Sequence, residues 1–169
     1  VGLPWSHNPV ERTQYLAPRA VRHRSKPYRR MHREFGVNAC EIARILDFGD
    51  VTIQSALADT AVLQIEEFYH HLDQRGIRPF TIGGDHACTL PVLRAIAGPR
   101  SRRRRPIGVL HFDSRTDSYG DGMGMHCHAG NWIRIATEEG LIDPRRSVIV
   151  GLNGPALSPD MDVFVEDVG

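Results

Sequence analysis

The stretch Ile107-Gly108-Val109-Leu110-His111-Phe112 is almost continuously apolar and gives way at once to a polar loop with carboxylates at Asp113 and Asp117. An apolar run this short, bounded by polar residues, reads as a strand buried on both faces, as in a parallel sheet. Phe80-Thr81-Ile82-Gly83-Gly84-Asp85-His86 has the same design: a short strand, a tight turn, then polar groups. Two parallel strands ending side by side would bring His86, Asp113 and Asp117 together. That edge is where open α/β sheets place their ligands. Imidazole and carboxylates gathered there suit a divalent transition metal.

The remaining elements fit the same frame. Val1-Gly2-Leu3-Pro4 reads as the tail of a strand, and Ala17 to Arg22 as the start of a helix with Pro18 in its first turn. Ser25 to Gly36 is basic and reads as irregular, and Ile42 to Phe48 as a strand closed by Gly49-Asp50. Asp59 to Arg75 has the clearest helical period, with Val62, Ile65, Phe68, Tyr69 and Leu72 on one side and Gly76 as its stop. His70 and His71 are neighbours about 100° apart on that helix, which favours a solvated pair over a metal site. Further helices are expected over Ala87–Ala97, Asn131–Glu139 and Ser158–Val168, and a strand over Ser147–Leu152. Gly120 to Gly124 reads as a mobile glycine-rich loop. Strands alternating with helices through short connections predict a three-layer α/β/α fold around a doubly wound, mostly parallel sheet.

Composition sets the outer limits. With 169 residues, the chain is long enough for one domain with a real core. A net charge of +1 gives no global case for nucleic acid. No apolar run approaches the roughly 18–20 residues of a membrane span. Cys40, Cys88 and Cys127 are widely spaced and odd in number, which points to free thiols in a reducing, cytoplasmic setting. Arg100 to Arg105 is read as a solvated loop between a helix and a strand.

These motifs, in this order, resemble the ureohydrolases, the arginase and agmatinase family. Gly83-Gly84-Asp85-His86 is similar to the family's first metal motif. Glu138-Glu139-Gly140-Leu141-Ile142-Asp143-Pro144 with Ser147-Val148-Ile149-Val150-Gly151 is similar to the agmatinase branch. The resemblance implies a domain about twice this length, with residues 1–169 as its N-terminal half. It also implies hydrolysis of a guanidino C–N bond to urea and an amine, and assembly as trimers or hexamers. His86, Asp113 and Asp117 match three ligands of one Mn²⁺ or Ni²⁺ site, and Asp113 would bridge to a second ion.

Two departures complicate that picture. Where the family has Asp-x-His-x-Asp, this chain has Asp113-Ser114-Arg115-Thr116-Asp117. Arginine stays protonated and offers no lone pair, so Arg115 cannot replace the ligand of the second ion. Either it pairs with Asp113 or Asp117 and fills the place of that ion, or it turns outward. The family's downstream Ser-x-Asp-x-Asp motif also has no counterpart here; Asp160-Met161-Asp162 is read as surface. His128 matches a substrate-side, proton-shuttling histidine only with a one-residue slip, and His126 and His128 are the alternatives for replacing the lost ligand. His111 is expected to pack beneath the site. Two functions compete: an amidinohydrolase with an impaired metal site, and a non-catalytic partner subunit beside a second ureohydrolase chain, as in guanidine- or biguanide-degrading (metformin-type) hydrolases.

Overall fold

Short parallel strand pairs form the frame of the computed structural model, which describes residues 1–7, 13–25, 31–55, 57–120, 127–154 and 160–169, with backbone only at 160–162. Strand β1 (Gly2–Leu3) is followed by helix α1 (Ala17–Ser25), β2 (Met31–His32), β3 (Val37–Asn38) and α2 (Ala39–Ile42). Then come α3 (Ala58–Gln74), β4 (Ile82–Gly83), α4 (Thr89–Ala97), β5 (Leu110–Phe112), α5 (Trp132–Glu138), β6 (Val148–Val150) and α6 (Asp160–Val168). β1 runs parallel to β4, and β5 parallel to β6 with Leu110, His111 and Phe112 opposite Val148, Ile149 and Val150. The expected parallel α/β arrangement is therefore present.

Helices lie on both faces of the first strand pair: Gly2 meets Pro18 and Arg22 of α1 on one face, and Leu3 packs against α3 on the other. α3 buries Ala61, Ile65, Tyr69 and Leu72, and the last three meet Leu3, Val51, Cys88 and Ala95. A second cluster joins Leu90, Leu93 and Ala97 of α4 to Trp132, Ile133, Ile135 and Ala136 of α5. Gly76 and Gly140, which end α3 and α5, take φ of 69° and 67°, the left-handed backbone that glycine adopts without steric cost. Within this chain one face of β5 is covered. His111 is buried, whereas Leu110 and Phe112 are 63% and 71% exposed, and Val148 and Val150 are exposed beside them.

Two local expectations are corrected. Ile42 to Phe48 is not a strand. The Asn38 side chain accepts the Cys40 N–H at 3.1 Å and starts the helical turn α2, and Arg44 takes a φ of 51°. A local cap thus outcompetes extended backbone, leaving Ile42, Ile45, Leu46 and Phe48 exposed. Asp47 in this segment forms an ion pair with Arg22 at 2.8 Å, and Arg22 also pairs with Asp50. The second correction concerns the basic segment: β2 and β3 form a small antiparallel hairpin whose turn ends at Gly36, φ 60°. The expected glycine-rich loop, His126, and the Ser158-Pro159 start of the last helix lie largely or wholly outside the described residues.

Candidate metal centre

His86 is set in place by the turn that follows β4. Gly84 lies so close to the N-terminal segment that an added Cβ would sit 2.4 Å from Gln14 O and 2.8 Å from Trp5 O. Asp85 then fastens the turn: its Oδ1 accepts the Ala87 N–H and its Oδ2 the His7 N–H, each at 2.9 Å. The His86 ring emerges from this fixed backbone.

The other donors come from β5 and its loop. Residues two apart on a strand share a face, so His111 and Asp113 both point inward. Asp113 donates its N–H to Val150 O at 3.1 Å, which ties the loop to the end of β6. Its Oδ1 accepts the Arg115 N–H at 3.2 Å, while Oδ2 lies 3.7 Å from His86 Nδ1 and 3.5 Å from His111 Nε2. Asp117 is buried in a left-handed backbone, φ 51°, which is costly for a residue with a side chain and persists only where the surroundings impose it. Its Oδ2 lies 2.9 Å from His86 Nδ1 and 3.7 Å from His111 Nε2, and accepts the Trp132 indole N–H at 3.1 Å.

One ligand atom from each of His86, His111, Asp113 and Asp117 thus falls within 4.8 Å of the other three. Donors about 2.0–2.2 Å from one ion cannot be further apart than about 4.4 Å. The separations of 2.9–3.7 Å are those of adjacent donors, needing little adjustment. The chemistry fits as well, since two imidazoles and two carboxylates suit a first-row divalent ion. Neither ring nitrogen of the buried His111 has a hydrogen-bond partner, so the site offers an imidazole lone pair that no protein donor claims. His111 is therefore beneath the site as expected, but it also belongs to the donor group.

Burial, then the neighbouring His86, holds the His111 pKa below the usual imidazole value, against the opposite pull of Asp117 and Asp113. The ring is thereby kept neutral, the form able to bind a cation. An unfolded histidine takes up its proton near a pH of about 6.5. Below that pH the unfolded chain binds more protons than the ion-free folded one, so stability falls as the pH drops towards the folded pKa. Urea unfolding in EDTA at pH 5 and pH 7.5 is expected to show this loss. The loss should shrink in His111→Gln, and an unchanged difference would contradict the assignment.

Arg115 does not occupy the place of an ion. It is exposed, its stem passes Gly154, and it forms no ion pair among the described residues. His128 lies outside the donor group; its Nδ1 accepts the Gly130 N–H at 3.1 Å, and its own N–H reaches Asn131 Oδ1 at 2.8 Å. Burial pushes the thiols of Cys88 and Cys127 up to about 12 and about 11, so neither supplies a thiolate at neutral pH. The residue that sequence reasoning missed is Trp132. A buried indole N–H needs an acceptor, but spacing alone does not say which one.

The profile of the arginase family matches residues 1–168. The chain belongs to the arginase family. Guanidinopropionase of Pseudomonas aeruginosa is 34% identical over 174 residues, covering 100% of this chain and 52% of that protein. The mitochondrial agmatinase of Gallus gallus is 30% identical, over 91% of this chain and 44% of its own length. Proclavaminate amidino hydrolase from Streptomyces clavuligerus superposes with a TM-score of 0.82 at 26% identity, covering 99% of this chain and 55% of that one. These relatives support the agmatinase-like branch of the arginase family, and the arginase fold is shared. The chain spans about half the length of these relatives. Among the described residues, no helix is long and apolar enough to cross a membrane.

Proposed function

We propose that this arginase-family chain is the N-terminal half of an amidinohydrolase domain that cleaves a guanidino C–N bond and releases urea. His86, Asp113 and Asp117 would hold one Mn²⁺ or Ni²⁺. The observation that carries this reading is the convergence of imidazole and carboxylate donors at the ends of β4 and β5. A bound ion would supply Lewis acidity and a water acidified towards neutral pH. His128 is the proposed proton carrier on the substrate side. The guanidinopropionase and agmatinase relatives frame the substrate class as a guanidino acid or a guanidino amine.

The test is to express the whole protein with Mn²⁺ or Ni²⁺, count ions per chain, and assay urea from 3-guanidinopropionate and agmatine. One ion per chain with urea release is expected; no ion and no urea would end this reading. Arg115→His removes a fixed positive charge and adds a lone pair at the position of a second-ion ligand. It is expected to raise the count from one ion to two. An unchanged count would show that Arg115 is not what limits the site.

Arg115 also favours a second reading, a non-catalytic partner subunit of a heteromeric guanidine or biguanide hydrolase, assembled in trimers or hexamers. Co-purification with a second ureohydrolase chain supports that reading. Full activity of the protein alone refutes it.

A further inference from the structure

We propose that Trp132 is a positioning residue for ion capture, fixing Asp117 in the orientation that faces the other donors. This rests on reading the cluster as a metal centre. Asp117 is held from two sides by the first turn of α5: the Ile133 N–H donates to its carbonyl at 3.3 Å, and the Trp132 indole N–H to its Oδ2 at 3.1 Å. These contacts are part of what keeps an aspartate in left-handed backbone. The Trp132 ring is 2% exposed, and its centroid lies 5.1 Å from that of His86 and 5.2 Å from that of His111. One side chain therefore borders three of the four donors.

The indole nitrogen is always a donor and never a ligand. It claims one acceptor direction on Oδ2 and leaves the remainder to face His86 and the centre. Without it, the carboxylate is free to rotate onto His86 alone or to present both oxygens. Groups that orient ligands in this way typically account for 10–100-fold in metal affinity.

Trp132→Phe keeps most of the ring and removes the N–H. Calorimetric titration with Mn²⁺ is expected to show a Kd about 10–100-fold higher than in the unsubstituted protein. Thermal melting of the ion-free variant should shift by only a few degrees. In unsubstituted protein labelled with ¹⁵N-tryptophan, the Trp132 indole resonance is expected to move as Zn²⁺ fills the site, because the ion then competes for the Asp117 Oδ2 that accepts the indole N–H. A variant Kd within twofold of the unsubstituted value, or an indole signal that stays fixed at saturation, overturns the role of Trp132 and leaves the metal centre standing. Folded unsubstituted protein that takes up no ion overturns both. If the variant fails to fold, the indole signal of the unsubstituted protein decides.

Discussion

Asp117→Ala is expected to weaken Mn²⁺ binding by more than about 100-fold, beyond the range that orienting contacts supply. Its Oδ2 is the point shared by His86, His111 and Trp132, and it is the most buried of the acidic donors. Asp113 alone, 25% exposed and already accepting the Arg115 N–H, is left to balance the charge of an ion. The ion-free variant should also be less stable, because a buried donor without an acceptor costs about 1–3 kcal/mol. Calorimetry on Asp117→Ala beside Glu166→Ala, an exposed acid on α6, makes the comparison. Equal affinities in the two variants would remove Asp117 from the site.

The second large effect is on folding. Trp132→Ala empties a site that α4 and α5 build together, with Leu90, Leu93 and Ile133 in the same cluster. Large-to-small changes of this kind cost about 3–5 kcal/mol, when whole domains are stable by only about 5–15. Urea unfolding should give a loss in that range. A loss below about 1 kcal/mol would mean that α5 does not depend on this packing. Since phenylalanine fills most of the same volume, alanine and phenylalanine at this position separate the packing role from the hydrogen bond.

The fold was legible where chain-local physics and tertiary structure agree. The apolar face of α3 and the short strands before Asp85 and Asp113 could be read from periodicity and length. Ile42 to Phe48 is apolar enough to suggest a strand, but apolarity alone does not fix extended backbone. The Asn38 cap settled the conformation instead. In the site, His86, Asp113 and Asp117 were readable because motif spacing and strand direction place them. Trp132 was not, since its role depends on α5 docking its first turn against the acidic loop, a long-range contact that spacing does not encode. The outward course of Arg115 likewise depends on packing beside Gly154.

Gly84 has the widest consequence. With carbonyl groups of Trp5 and Gln14 lying where a methyl group would be, and Asp85 bonded to His7, the leading segment and the turn bearing His86 are mechanically one piece. A molecule that pushes on residues 5–7 also pushes on the imidazole. Exchanging the leading segment for that of another protein would therefore shift the turn that carries His86.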